Sequence, residues 1–391
     1  MSHLVYCSLF AGIKADSATV HIRLDHNRTI IKAGIYLPDG SIQMINAWVD
    51  NGNPVLSITE RLAKELALTI SVDSSGSMQV TGNIPVKIRI GGMDIFLKDL
   101  GQPIEVVKGA RIGAGIDADI NIPSTVLKNY DVVVDYPSKE FTIAAPGSIH
   151  FKGKAVKGFF NAENFLIQMA VRSDYDEFHL ALDLGTPVSF ISRDQISKWI
   201  KDHPTWPSMH GAIGITNLWG MEDEPDWQLL RINNLLYGGI TLSNFIAVSC
   251  PPDWLDYFTK RVGIPTAGLI GAEALLDYSI GIDYVHKTVY FKRLSNAATE
   301  DMDFVGLILR PESNGVYRIL GVADYNGNPS VAGAMKGDVL LKVNDNPVDG
   351  LTMGGVWSLL QGHPGAIDNL ELERDGKTFI IKTKVRRFLS N

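Results

Sequence analysis

The chain has 391 residues, of which 45% are hydrophobic and 20% charged, a balance that is typical of a folded globular protein and argues against extensive disorder. This length favours two or three domains. With 36 basic and 43 acidic residues the formal net charge is −7, and no basic cluster precedes the last few residues, so we expect no nucleic-acid partner.

No stretch of the sequence reaches the roughly 18 apolar residues of an integral membrane span. The apolar residues 4–12 fit either a truncated secretory signal or a first strand, so the protein is either exported, to the periplasm or outside the cell, or cytoplasmic. Cys7 and Cys250 cannot form a disulfide framework or a zinc cluster by themselves, and we expect no bond between them that defines the fold. The scattered histidines lack metal-ligand spacing, and we predict no metal or other cofactor.

The first third of the chain predicts short strands and one helix. Residues 30–49 contain two apolar runs separated by a Pro-Asp-Gly turn, which indicates two strands. Residues 59–67 begin with threonine and repeat leucine at helical spacing, which predicts a short helix. Residues 86–97 alternate in polarity around a Gly-Gly pair and predict a β-hairpin.

An internal repeat follows from two pairs of segments. Residues 49–55 (VDNGNPV) match 182–188 (LDLGTPV) at an offset of 133, and residues 126–143 match 274–291 at an offset of 148. We therefore predict two copies of one half-domain, residues 1–150 and 151–295. The second copy must hold about 15 extra loop residues, for which the Trp- and Pro-rich stretches 203–207 and 250–263 are candidates.

The last ninety residues have a different pattern, and the small polar segment 295–303 predicts a linker before them. We expect a third domain at 304–391, with a helix at 352–361 and a closing strand pair around an Asp-Gly turn.

The repeated Asp-x-Gly turns carry the strongest functional signal. A single such turn is ordinary turn chemistry, but here Asp50 and Asp183 each follow an apolar strand. Two carboxylates brought close together share one proton, so one can act as a base on water while the other polarises a carbonyl group. The sequence therefore predicts a catalytic pair.

These segments resemble the retropepsin-like aspartic proteases. The resemblance implies a mainly β fold with two acid-protease β-barrel lobes, and a peptidase that uses Asp50 and Asp183 to activate water on peptides or unfolded proteins. The residues that would support the catalytic loops are Asn51, Gly52, Asn53, Gly185, Thr186, Ile270 and Gly271. Gly91-Gly92 in the first lobe and Tyr237-Gly238 in the second are candidate flap residues, although each could equally belong to a plain hairpin of the barrel.

Three residues depart from the family pattern. The hydroxyl residue that follows each aspartate and ties the two loops together is Asn51 in one copy and Leu184 in the other, so one side of this clasp is expected to be missing. The alignment also places Pro123 where the second copy has Gly271. An impaired, peptide-binding relative of the proteases therefore stays open as the alternative.

The C-terminal part opens with Gly-Leu-x-Leu at 306–309, contains the motif SxAGxxxGDVLLxVN at 330–344 and has an Arg-Asp-Gly-Lys turn at 374–377. With these motifs it resembles a bacterial-type PDZ domain. The resemblance implies that the backbone of Gly306, Leu307, Ile308 and Leu309 receives the C-terminus of a peptide and that Val356 and Leu360 form the opposite wall, unless these side chains only fill a small core. Such a module would recruit substrates or regulate access to the protease. A third possibility is a PDZ adaptor on an unrelated β domain, in which case the repeat is a coincidence.

Overall fold

The computed structural model describes residues 16–81, 86–97, 100, 103–109, 112, 115–172, 176–210, 227–295, 302–312 and 314–389. Strands make up 50% of the described residues and helices 13%, and the sheets are barrel-like. The mainly β fold class is confirmed. Cys7 lies outside the described residues, and Cys250 is buried as a free thiol. No helix in the described ranges is long and apolar enough to cross a membrane.

The first half of the protein contains twelve described strands and two helices. They are β1 (Ser17–Asp25), β2 (Arg28–Tyr36), β3 (Ile42–Asp50), β4 (Ser57–Thr59), α1 (Glu60–Glu65), β5 (Ile70–Val72), β6 (Met78–Val80), β7 (Val86–Ile90), β8 (Met93–Leu97), β9 (Glu105–Val107), β10 (Ile120–Pro123), α2 (Ser124–Leu127), β11 (Asp131–Asp135) and β12 (Glu140–Ala144). The predicted short helix is α1, and it begins after Thr59 because this side chain accepts a hydrogen bond from the Leu62 N–H.

The second half repeats this plan with longer helices. Its elements are β13 (Lys154–Lys157), β14 (Phe159–Phe160), β15 (Ile167–Arg172), β16 (Glu177–Leu182), β17 (Ser189–Ser192), α3 (Arg193–Asp202), β18 (Ser208–His210), β19 (Gln228–Tyr237), β20 (Ile240–Cys250), α4 (Pro252–Val262), β21 (Gly268–Ile270), a 3₁₀ helix at Ala272–Leu275, β22 (Tyr278–Asp283) and β23 (Thr288–Arg293). Helix α4 occupies most of 250–263, one of the two stretches that we expected to be extra loop. Pro252 suits its first turn, and Gly263 ends it with a φ of 85°.

The C-terminal segment forms a sheet of its own against one helix. Its elements are β24 (Asp303–Phe304), β25 (Leu307–Pro311), β26 (Tyr317–Val322), β27 (Asp324–Tyr325), β28 (Asn328–Pro329), β29 (Val339–Val343), β30 (Asn346–Pro347), α5 (Met353–Leu360), β31 (Ile367–Arg374), β32 (Lys377–Lys384) and β33 (Arg386–Arg387). The sheet order is β25-β26-β29-β31-β32, which leaves β25 at an edge among the described strands. The predicted helix and Asp-Gly turn are present as α5 and the β31–β32 turn.

The two halves meet in a shared sheet with the order β13-β23-β22-β11-β12-β1. At its centre β11 pairs with β22 in antiparallel register, and Val133 lies opposite Gly281, the residue 148 positions later. The flanking pairs repeat with the same offset, since Val132 pairs with Ile143 and Ile280 with Phe291. An approximate two-fold axis therefore passes through the Val133–Gly281 pair and relates the two halves.

The C-terminal segment packs closely on the rest of the chain. One apolar cluster joins Phe190 of the second half to Phe304, Trp357 and Phe388 of the segment. The segment also contacts the first half, where the Thr352 hydroxyl donates a hydrogen bond of 2.8 Å to the Asp25 carboxylate. These contacts fix the position of α5 relative to the two halves.

Candidate active site

Equivalent strand pairs position Asp50 and Asp183. Strand β3 runs parallel to β10 and ends at Asp50, which lies opposite Pro123. Strand β16 runs parallel to β21, with Leu182 opposite Ile270, and the Asp183 N–H donates to the Ile270 carbonyl at 3.0 Å. Each aspartate is thus placed at the end of a buried strand whose neighbour fixes its direction.

The loops that follow the two aspartates close in the same way. In the first half the Ser124 N–H donates to the Asn53 carbonyl at 2.9 Å. In the second half the Ala272 N–H donates to the Thr186 carbonyl at 3.0 Å. Asn53 and Thr186 are 133 residues apart and Ser124 and Ala272 are 148 apart, so the two bonds join residues that the sequence repeat predicts to be equivalent.

The exchange of glycine for proline between the halves does not disturb this closure. A Cβ atom at Gly271 would lie 2.3 Å from the carbonyl oxygen of Val188, so a side chain there would force a shift. In the first half Pro123 occupies the corresponding position with extended backbone and leads directly into α2. Proline is tolerated because the residue stands before the first helical turn, where its missing N–H is not needed.

Each loop packs its glycine against the carboxylate of the other loop. A Cβ atom at Gly52 would lie 2.0 Å from the Asp183 carboxyl carbon, and one at Gly185 would lie 2.3 Å from Asp50 Oδ1. Only a residue without a side chain allows this approach. The two Asp-x-Gly turns therefore converge, and each carboxylate lies against the glycine of the other turn.

Asn51 provides hydrogen bonds between the two loops. Its Nδ2 donates to the Leu182 carbonyl at 2.8 Å, and its Oδ1 accepts from the Leu184 N–H at 2.7 Å. An amide has one donor and one acceptor arm, so it can make both bonds that two hydroxyl residues would otherwise share. Leu184 is 1% exposed and packs in the apolar core. Leu184 has no hydroxyl group to bind the opposite loop, but the two hydrogen bonds of Asn51 still connect the loops.

Burial raises the pKa of both carboxyls. The pKa of Asp183 rises to about 6 because the group is desolvated, although the N–H groups of Gly185 and Thr186 bind its Oδ1 at 2.8 and 3.1 Å and Arg28 attracts its charge. The pKa of Asp50 is raised well above its ordinary value by burial and then by the negative charge of Asp183. Asp50 Oδ2 is buried with no partner among the described residues.

The two environments assign different protonation states to the two groups. Asp183 Oδ1 accepts two backbone hydrogen bonds, which favour the ionised form, whereas Asp50 Oδ2 is buried with no partner among the described residues, so the charge is assigned to Asp183 and the proton to Asp50. The pair therefore holds a single proton from mildly acidic toward neutral pH, the state in which one carboxylate is a base and the other group is an acid.

A cavity of about 520 Å³ opens beside the aspartate pair. Helix α4 forms one wall and contributes aromatic rings and one cation. The lining residues are Asp50, Gly52, Asn53, Val55, Glu105, Asp183, Thr186, Asp253, Trp254, Tyr257, Phe258 and Arg261. The tryptophan of this stretch is evident in the sequence, but its place in the cavity wall is not, because the amphipathic spacing of α4 shows only when the segment is treated as a helix.

The predicted flap glycines lie in two turns at equivalent positions, each resting on the first strand of its half. A Cβ atom at Gly91 would lie 3.1 Å from Ala18 of β1, and one at Gly238 would lie 2.6 Å from Val156 of β13. The β7–β8 hairpin therefore contacts β1 and the β19–β20 hairpin contacts β13, and both of these strands belong to the shared sheet. The described lining of the cavity beside the aspartate pair therefore includes none of the predicted flap residues, Gly91, Gly92, Tyr237 and Gly238.

The predicted PDZ groove residues are buried within the C-terminal segment. Each of the side chains of Leu307, Ile308, Leu309, Val356 and Leu360 is 3% exposed or less. A Cβ atom at Gly306 would lie 2.7 Å from the Phe388 ring, and the Ser330 hydroxyl donates to the Gly306 carbonyl at 3.1 Å. Most of these aliphatic side chains belong to the core of the segment.

The first half closes one end of the space between β25 and α5. The Met353 N–H donates to the Gly115 carbonyl at 2.9 Å, and a Cβ atom at Gly115 would lie 3.2 Å from Pro311. At the opposite end the Val305 N–H donates to the Leu360 carbonyl at 2.8 Å. A peptide entering along β25 would have to displace Gly115.

The described residues contain no cluster of three or more His, Cys, Asp or Glu side chains that could hold a metal ion. No model of a known protein family matches the chain, and no curated protein matches it. Among solved structures the chain is similar to an aspartic proteinase from Irpex lacteus, with 14% identity and a TM-score of 0.44, over 73% of this chain and 100% of that one. Because this similarity is low, the functional conclusion depends on the geometry of the aspartate pair.

Proposed function

We propose that the protein is an aspartic endopeptidase in which Asp50 and Asp183 activate one water molecule. The observation that carries the proposal is the reciprocal packing of Gly52 on Asp183 and of Gly185 on Asp50. It supports a site in which two buried carboxylates face the same cavity from equivalent loops. We further propose that residues 1–150 and 151–295 are retropepsin-like lobes and that 304–391 is a PDZ domain.

In this proposal Asp183 is the general base, since the backbone N–H groups of Gly185 and Thr186 bind its Oδ1 and favour its ionised form. It takes a proton from water while the water oxygen bonds to the scissile carbonyl carbon. The protonated Asp50 donates its proton to the carbonyl oxygen. Collapse of the tetrahedral intermediate breaks the C–N bond: Asp183 gives the proton that it took from water to the departing amine nitrogen, and Asp50 takes a proton back from a hydroxyl of the intermediate. The products are a carboxylic acid and an amine, and the pair again holds one proton.

The cavity supports peptides or unfolded proteins as substrates. Trp254, Tyr257 and Phe258 give one wall an apolar surface that suits aromatic or aliphatic side chains. The C-terminal domain would bind peptide C-termini by adding a strand at the free edge of β25, after Gly115 has moved away from Met353.

Incubating the purified chain with an unfolded protein, from mildly acidic to neutral pH, and sequencing the new N-termini tests the proposal. Cleavage beside large apolar residues is expected. Binding of the same protein without any new N-terminus at any pH would instead favour a peptide-binding scaffold with an impaired aspartate pair.

A further inference from the structure

The turn between β1 and β2 brings a buried cation to the aspartate pair. Arg28 is 1% exposed, and its guanidinium interacts electrostatically with Asp25, Asp183 and Asp50. Its Nε and Nη2 groups are buried and have no hydrogen-bond partner among the described residues. A buried charge is costly unless it is compensated by opposite charge, so the nearby carboxylates must provide that compensation.

Contacts on two sides hold this turn in place. The Asn27 Nδ2 donates to the Pro187 carbonyl in the Asp183 loop at 3.3 Å. On the other side the Thr352 hydroxyl donates to Asp25 Oδ1 at 2.8 Å, and the His26 ring lies 5.6 Å from the Trp357 ring. The turn therefore bridges the C-terminal segment and one catalytic loop.

We propose that Arg28 is a positioning residue for the aspartate pair: its buried guanidinium favours the state in which one of the two carboxylates is ionised, and the β1–β2 turn fixes its place. This inference rests on the proposed function. It assigns a role in catalysis to a residue outside the described lining of the cavity.

The other charged groups near the pair do not duplicate this role. Arg261 of α4, which lines the cavity, attracts the charge of Asp50 more than Arg28 does, but the cation that attracts the charge of Asp183 is Arg28. Burial lowers the pKa of His26 well below its ordinary value, so this ring is neutral. Tyr136 is buried and its pKa is raised out of the working range.

Arg28 keeps its charge under working conditions. Burial lowers its pKa only to about 10, because Asp25, Asp183 and Asp50 oppose the desolvation. At neutral pH the guanidinium is therefore protonated and lies in a low-dielectric region, where its attraction for a carboxylate is strongest. Removing this charge should raise the pKa of both aspartates.

The test measures carboxyl titration and cleavage in the full chain. Arg28→Met should raise the pKa of Asp183, followed by carboxyl ¹³C NMR, by roughly one to two pH units, and should move the acid limb of kcat/KM to higher pH by the same amount. Arg28→Lys keeps a cation and should restore most of the wild-type profile. Equal shifts in both variants, or no shift in Arg28→Met, would overturn the inference.

A milder variant covers the case in which Arg28→Met does not fold. Asn27→Gly keeps the positive φ of 61° at this turn position but removes the bond to Pro187. Because the turn that carries Arg28 is then held less firmly, Asn27→Gly should also raise the pKa of Asp183, by less than Arg28→Met does. An unchanged Asp183 titration would contradict the proposal. Because NMR reads the titration without turnover, a wild-type chain that cleaves nothing refutes the proposed function and leaves this result interpretable.

Discussion

The Oδ1 atom of Asn51 accepts a hydrogen bond of 2.7 Å from the backbone N–H of Leu184, in the loop of the opposite half. The same side chain donates to the Leu182 carbonyl on the other arm of its amide. One residue therefore binds the Asp183 loop on both sides of the aspartate, and the leucine needs no polar group of its own.

The first prediction concerns this clasp. Asn51→Thr should lower kcat/KM by roughly a hundredfold, since a single hydroxyl is too short to make both bonds and small displacements at a reactive centre have effects of this size. It should also lower the free energy of unfolding by roughly 1 to 3 kcal/mol, as buried groups lose partners. Cleavage assays and urea titration measure the two effects.

The double variant provides the matched comparison. Adding Leu184→Thr to Asn51→Thr supplies a second hydroxyl and should recover part of the lost activity, whereas Leu184→Thr alone should bring no gain. A large gain from Leu184→Thr alone would show that Asn51 does not complete the clasp.

The second prediction links the Asp183 pKa to stability. Its folded value of about 6 is higher than the roughly 3.9 of an unfolded chain, so the group stabilises the protonated fold below about pH 4 and this contribution is lost as the pH rises through 6. The loss corresponds to about 3 kcal/mol. Asp183→Asn should therefore raise the free energy of unfolding near neutral pH, because the amide oxygen can still accept from Gly185 and Thr186.

Urea titrations of the wild type and of Asp183→Asn at several pH values measure this difference. The gain should be largest above pH 6 and should vanish at low pH, where the aspartate is protonated in both states. A gain that is independent of pH would mean that the Asp183 carboxyl is not the titrating group.

The internal sequence repeat predicts the two related halves and the aspartate in each of them. Local patterns locate Asp50 and Asp183, and the offset of 148 residues is visible in the pairing of Val133 with Gly281. The packing of Gly91 on Ala18 and of Gly238 on Val156 cannot be predicted from the sequence, because turn residues indicate a hairpin but not the surface on which the hairpin packs. Arg28 has no sequence signature at all: arginine is usually exposed, and only the tertiary contacts of its turn bury it.

The third prediction concerns the closed end of the C-terminal groove. Met353 is the first residue of α5, and Thr352 before it is extended with a ψ of 165°, so Met353→Pro fits the helix while it removes the N–H that binds Gly115. Losing one such bond should strengthen the binding of a peptide with a free apolar C-terminus by roughly two- to tenfold.

Fluorescence anisotropy of the full chain with this peptide and with its amidated form provides the measurement. Met353→Ala is the control, since it loses the same side chain but keeps the N–H. Equal affinities of the alanine and proline variants would show that the Gly115 contact does not restrict the groove.

The most direct test of the central claim is peptide cleavage by Asp50→Asn, Asp183→Asn and the double variant, at a pH just above 6. The two carboxyls act as one proton-sharing unit, so each single variant should lose nearly all cleavage and the double variant should be no worse than either. Asp375→Asn, a change at an exposed turn with positive φ that asparagine tolerates, should cleave like the wild type. Undiminished cleavage by Asp183→Asn would contradict the aspartic mechanism.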